Sequence, residues 1–195
     1  VALRHVRFGA VDELVAALAA VAETGTWQGE PVEFVDGVMF TPAESYLALG
    51  RWCEHGPASD YTGQQVYYRS ISQRGRDCLS VHDYLWRWDT DWFWCSAAFG
   101  AQHPLLRRLW PRRYRRSDVY HRILGWENRF GVAARLDRLR GRPSRERVVQ
   151  DVEVPLEQAA GFLSWFAREV QMAPVWLCPV RSRRTWPLYP LEPGR

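Results

Sequence analysis

The chain has 195 residues, 47% of them hydrophobic, and a net charge of +4 carried by 26 basic residues, every one an arginine. That is enough apolar material for a sizeable core in one domain, plain or elaborated, but no apolar run reaches the roughly 18–20 residues of a membrane-crossing helix. Its cysteines, Cys53, Cys78, Cys95 and Cys178, lie far apart without Cys-x-x-Cys spacing. That argues against a zinc site or disulfide framework and predicts free, mostly buried thiols in a reducing compartment.

The chain opens at Val1 already inside a predicted strand, which suggests a segment of a longer polypeptide. Residues 2–8 are rich in strand formers and predict an edge or half-buried strand. Val11, Leu14, Val15, Leu18, Val21 and Ala22 recur at three- and four-residue spacing, the pattern of an amphipathic helix lying on a sheet, and Gly25 marks its end. Val32 to Phe40 and Tyr46 to Trp52 are β-rich runs joined by a short Pro-containing turn, which predicts an antiparallel hairpin. After a polar loop over residues 56–63, Gln65 to Ser72 reads as another strand with Tyr67, Arg69 and Ile71 on one face.

Residues 82–94 form the densest aromatic stretch. Tyr84, Trp86, Trp88, Trp92, Phe93 and Trp94 are interleaved with His82, Asp83, Arg87, Asp89 and Asp91. A surface loop has no use for so much aromatic area, and a plain core tolerates so many charges only when they are paired, so large flat faces beside fixed polar groups point to a small-molecule pocket. The competing reading is a Trp-rich structural core with solvated charges.

Beyond it, His103-Pro104 begins a short helix through Trp110, and Ser117-Asp118 begins another carrying Val119, Ile123, Leu124 and Trp126. Phe130, Val132, Leu136 and Leu139 extend helical character to Gly141, and 141–147 is an Arg-rich connector. Val148 to Val154 alternates as a strand, Pro155 opens a helix striped by Ala159, Leu163, Phe166 and Val170, and Val175 to Pro179 predicts a short buried strand before a Pro-rich tail over 181–195. The whole predicts an α+β fold: a mostly antiparallel sheet with helices on one face and a Trp/Arg-rich helical insertion between its halves.

Against that background, Val148, Gln150, Asp151, Val154 and Pro155, followed by Pro174, Trp176, Leu177, Cys178 and Pro179, resemble the Val-x-Gln-Asp-Met-Leu-Val-Pro and Tyr-Pro-Ile-Trp-Leu-Cys-Pro runs of the FAD-linked delta-24 sterol reductases, the Diminuto group. Phe34-Val35-Asp36-Gly37 resembles that family's Phe-Val-Glu-Gly, and Val6-Arg7-Phe8 the strand that opens its second domain. The aromatic stretch is similar to a Tyr-Tyr-His-Arg-His-Thr-Arg run in retaining Tyr84, Arg87 and Trp94, but it has Trp86 and Trp88 in place of histidines and adds Asp89 and Asp91.

The family is of the vanillyl-alcohol-oxidase type. The resemblance therefore implies that residues 1–195 are a ferredoxin-like cap, or substrate, domain lacking an N-terminal FAD-binding domain that would be its partner. It implies FAD as cofactor, with NADPH as a reductant, hydride transfer to or from a carbon–carbon double bond, and a bulky apolar sterol-like or isoprenoid substrate. No Gly-rich phosphate cradle stands in the sequence, so the chain alone is expected to bind FAD poorly.

Catalytic expectations fall on Arg87, Tyr84 and His82, and substrate-binding ones on Trp86, Trp88, Asp89, Asp91 and Trp92. Arg87 could hold negative charge on a reduced flavin or simply pair with Asp89 or Asp91. Trp176 and Cys178 are expected in core packing, and Cys178 has no neighbouring base to activate it. The arginines between Arg107 and Arg116, interleaved with Leu109, Trp110 and Tyr114, support a rival class: a membrane-surface or nucleic-acid binding module without enzymatic activity. Of these, peripheral membrane contact suits an apolar substrate, and nucleic acid is disfavoured because no nucleic-acid motif accompanies the charge. The cytoplasm is the expected compartment.

Overall fold

The computed structural model describes residues 1–54, 56–61, 67–90, 103–141 and 151–180. The chain divides into two compact units: Val1–Asp60, Tyr68–Tyr84 and Val154–Arg195 form the first, and Tyr61–Tyr67 and Leu85–Glu153 the second.

The first unit is built on a five-stranded antiparallel sheet. In chain order its strands are β1 (Ala2–Phe8), β4 (Phe34–Thr41), β5 (Glu44–Arg51), β6 (Arg76–Cys78) and β7 (Val175–Leu177), arranged β6-β1-β5-β4-β7. A separate two-stranded ribbon, β2 (Thr26–Trp27) with β3 (Glu30–Pro31), turns through Gln28 at φ 52° and Gly29 at φ 81°. The registers Val6↔Leu47, Gly37↔Leu47 and Gly37↔Leu177 fix which side chains share a face.

Val6, Phe8, Val35, Met39, Leu47, Leu49, Val175 and Leu177 line one face, and two helices cover it. Helix α1 (Val11–Thr24) supplies Leu14, Leu18 and Val21 to one end of the core and Val11 and Val15 to the other, where helix α7 (Leu156–Glu169) adds Leu163. Helix α1 ends as its sequence predicts: Gly25 adopts φ 65° and its N–H bonds the Val21 carbonyl. At Gly37 the close approach is exacting. A Cβ there would lie 3.1 Å from Leu47 Cδ2 and 3.2 Å from Leu177 Cβ, so a side chain would push the edge strand β7 away.

The second unit is helical among its described residues: α4 (Pro104–Leu109), α5 (Ser117–Phe130) and α6 (Val132–Leu139), with 3-10 turns over Arg87–Thr90 and Arg112–Tyr114. Helix α3 (Val81–Trp86) starts in the first unit and ends in the second. The α+β class, the antiparallel sheet with α1 and α7 on one face, and the helical insertion all match the sequence expectation.

Several local expectations are corrected. Residues 67–73 are helix α2 (Tyr67–Gln73), not a strand: Tyr67, Ser70 and Ile71 are buried at i, i+3 and i+4, a helical period that the β-branched and aromatic composition concealed. Strand β1 is half-buried, one of the two expectations, but it is not an edge, because the short β6 pairs with Ala2 to Arg4 on its far side. Asp151 to Pro155 forms no strand and Val152 is exposed, while residues 148–150, Gln150 included, lie outside the described residues. The helix predicted to run through to Gly141 is broken at Gly131, whose φ of 58° ends α5 and starts α6. Strand β7 is a half-exposed edge rather than a buried strand.

Candidate functional site

Residues Ser80 to Asp89 carry most of the expected site side chains, and local chemistry sets where they begin. Ser80 precedes α3; its Oγ accepts the Asp83 backbone N–H at 3.0 Å and donates to the Asp83 carboxylate at 2.5 Å, a reciprocal cap that fixes the first turn. His82 is exposed, while Tyr84 is half-buried.

In the first unit, Tyr84 packs on the second face of the sheet. Its ring centroid lies 5.5 Å from that of Phe34, which in turn meets Trp52 edge-on at 5.0 Å. Phe34 pairs with Gly50, where a Cβ would sit 3.1 Å from Leu3 Cδ2 and 3.1 Å from Phe34 Cβ; glycine is what lets these two pack there. Asp36 and Val38 follow Phe34 at alternate positions on the same face. Asp36 is buried and accepts the Trp176 Nε1–H at 3.3 Å. Trp176 is therefore not inert core: it is 39% exposed and its polar edge is spent on a buried carboxylate. Tyr46 lies on this face too, with Phe40 6.0 Å from it and Tyr68 6.4 Å from Phe40. Burial, then the neighbouring Glu44 carboxylate, pushes the Tyr46 phenol up, so it stays neutral and donates to Glu44 at 3.0 Å.

In the second unit, Arg87 is 7% exposed, and its guanidinium carbon lies 5.3 Å from the Tyr67 ring centroid and 5.6 Å from that of Trp88. Tyr67 meets Trp88 edge-on at 4.7 Å and Tyr61 edge-on at 5.2 Å. A guanidinium keeps its charge in such surroundings, because its proton is held far above neutral pH and aromatic faces offer a negative quadrupole in place of water. Asp89 is half-buried in the same turn, and Trp86 is 51% exposed. Asp91 and Trp92 lie outside the described residues.

The expected site residues are thus divided between the units: His82 and Tyr84 in the first, Trp86, Arg87, Trp88 and Asp89 in the second. Sequence reasoning missed Phe34 and Trp52, which wall Tyr84, Tyr67, which lies against the Arg87 guanidinium, and Tyr61, which backs Tyr67. Tyr67 had an available signal in its four-residue spacing to Ile71; Tyr61 had none.

The arginine-rich segment surrounds a third feature, an open apolar cleft of about 430 Å³ lined by Leu109, Trp110, Pro111, Tyr114, Val119 and Ile123. Arg113 stacks on Tyr114 at 4.7 Å, Arg115 donates to the Trp110 carbonyl at 2.7 Å, and Arg116 pairs with Asp118 at 3.2 Å. Leu105 and Leu109 are exposed beside them. Among the described residues no helix is long and apolar enough to cross a membrane, and no group of His, Cys, Asp and Glu converges as a metal site.

Comparison with known proteins gives the relationship. The Delta(24)-sterol reductase of Arabidopsis thaliana is 23% identical over 174 residues, which cover 75% of this chain and 27% of the plant protein, and that of Pisum sativum gives the same figures. A Delta(24)-sterol reductase homolog of Caenorhabditis elegans is 22% identical over 176 residues, covering 82% of this chain and 31% of its own length. The chain is similar to sterol reductases. It spans less than a third of the length of these curated relatives, and the relationship is distant, at the level of an oxidoreductase family. No family profile and no solved structure matches the chain.

Proposed function

We propose that this chain is the cap domain of an oxidoreductase that acts on a carbon–carbon double bond of a bulky apolar substrate, sterol-like or isoprenoid, with FAD held mainly by a separate flavin-binding domain and NADPH as a reductant. The observation that carries the reading is Arg87: a buried, permanently charged guanidinium between aromatic faces, in the stretch that resembles the reductases.

The residues present suit one end of such a cofactor. A planar cation among flat apolar rings suits the negative charge of a reduced isoalloxazine. The pyrophosphate end finds no counterpart among the described residues: the glycines with left-handed φ, Gly25, Gly29, Gly131 and Gly141, each end a helix or turn a hairpin. When bound, the flavin would supply the hydride. The tasks of the first unit are to wall Tyr84 with Phe34 and Trp52 and hold a proton at the Tyr84 hydroxyl; that of the second is to hold charge with Arg87 beside Trp88, with Trp86 offering an apolar face. His82, exposed on α3, suits orienting a polar substrate group at the surface better than buried acid chemistry. Asp89, with Asp91 and Trp92, completes the substrate-facing set. Arg108 and Arg113 beside exposed Leu105 and Leu109 support peripheral contact with an anionic membrane, where an apolar substrate would partition.

The test is flavin content and turnover. This chain purified alone should be colourless, and the full-length protein should be yellow and reduce or oxidise an isoprenoid or polycyclic alkene. Stoichiometric flavin on this chain by itself, or turnover confined to small hydrophilic substrates such as sugar lactones, would overturn the reading.

A further inference from the structure

Two of the cysteines that lie 25 residues apart in sequence meet in space: the Cys53 and Cys78 sulfurs are 3.6 Å apart, and both are half-buried. We propose that Cys53 and Cys78 form a redox-active dithiol, a modification site that closes to a disulfide under peroxide or a low-molecular-weight disulfide and reopens under thiol reductants.

The surrounding backbone brings the two sulfurs together. Ala2 pairs with Arg51 on one side of β1 and with Cys78 on the other, so the chain leaving β5 must round the end of β1 for Cys53 to reach β6. On the Cys53 side, the Trp52 N–H donates to the Glu33 carboxylate at 2.6 Å. On the Cys78 side, the Ser59 N–H donates to the Cys78 carbonyl at 2.8 Å, and Ser59 Oγ donates to Asp77 at 2.6 Å while accepting from Arg74 at 2.8 Å. Gly56 passes so near that a Cβ there would lie 3.0 Å from Cys78 Sγ, so the position favours a residue without one. A disulfide needs the sulfurs at about 2.05 Å, a closure of roughly 1.5 Å that lies within the reach of cysteine χ1 rotation.

The chemistry balances. Burial, then the adjoining Cys53 sulfur, pushes the Cys78 thiol up, which disfavours its thiolate. The Cys53 sulfur attacks a peroxide oxygen, the O–O bond breaks, and Cys53 becomes a sulfenic acid as one water leaves. Cys78 sulfur then attacks Cys53 sulfur, the S–O bond breaks, and the hydroxyl leaves as a second water with the Cys78 proton. Together the two sulfurs lose two electrons, which reduce one peroxide to two waters. The bond would tie the residue after Trp52 to the strand that leads into α3, so the aromatic wall formed by Trp52, Phe34 and Tyr84 would be clamped on both sides.

The test uses the protein with its natural cysteines. Reduced protein is treated with hydrogen peroxide or with glutathione disulfide, alkylated with iodoacetamide, digested and mapped by mass spectrometry. The expected result is a crosslinked peptide pair carrying Cys53 and Cys78, lighter by two hydrogens, that dithiothreitol reverses, while exposed Cys178 remains alkylated. Cys78→Ser should abolish the crosslink and leave Cys53 as a trapped sulfenic acid or glutathione adduct. Full alkylation of both cysteines after oxidation, or a crosslink that pairs either one with Cys95 or Cys178 instead, would overturn the proposal; neither outcome depends on the variant folding.

Discussion

Replacing Arg87 with methionine separates the functional from the structural account of the buried cation. Arg87 is 7% exposed and its guanidinium lies 5.3 Å and 5.6 Å from two ring centroids. Each desolvated cation–π contact contributes about 0.5–2 kcal/mol, and methionine, which retains much of the apolar stem, loses both contacts while being relieved of the cost of keeping a charge out of water. The net loss of stability should be about 1–2 kcal/mol. For a chain of this size that lowers the Tm by roughly 2–8 °C in calorimetry. The charge itself is not replaced, so in full-length enzyme the rate of flavin reduction or reoxidation, followed by stopped-flow absorbance, should fall tenfold or more, equivalent to about 1.4 kcal/mol. Arg87→Lys should recover much of the rate, since it restores charge, while stability stays low because an ammonium does not stack as a planar guanidinium does. If Arg87→Met lost far more stability than this while the folded fraction turned over normally, Arg87 would be a structural residue and the catalytic centre would lie elsewhere.

Leu47, 0% exposed at the centre of the helix-covered face, should cost about 2–5 kcal/mol when cut to alanine, read as a shift in the denaturant midpoint with an unchanged slope. Gly37→Ala should destabilise by about 1–3 kcal/mol, because the new methyl meets Leu177 Cβ as well as the mobile end of Leu47, and hydrogen exchange should quicken first in β7. Trp176→Phe removes the indole donor from buried Asp36 and should lower stability by about 1 kcal/mol in thermal unfolding, with the ring's packing largely kept. Vesicles rich in anionic lipid should bind the protein in low salt and release it as salt rises, and Arg108→Glu with Arg113→Glu should weaken that binding; equal binding to neutral vesicles, unaffected by salt, would rule out the charge-led contact.

Helix α1, the β4–β5 hairpin and helix α7 could be read from the sequence because each is specified by signals within its own residues: a 3.6-residue stripe closed by Gly25, two β-rich runs about a short turn, and a proline at a helix start. The α+β class followed from their order, and the likeness to sterol reductases rested on short motifs that needed no coordinates. The concentration of site residues after Ser80 was legible too, because aromatic density and charge coincide there.

What tertiary structure decided were the properties that depend on a neighbour far along the chain. Residues 67–73 became a helix because Tyr67, Ser70 and Ile71 are all buried, and β1 became interior because a three-residue strand from beyond residue 75 pairs with its far edge. Trp176 turned from core filler into the donor for Asp36 across 140 residues. Arg87 acquired its cage from Tyr67, and Cys53 found Cys78. Periodicity records which face of an element is apolar, since that is a property of consecutive residues. It carries no record of which distant group will meet that face, because that pairing is settled only when strands and helices compete for the same buried surface.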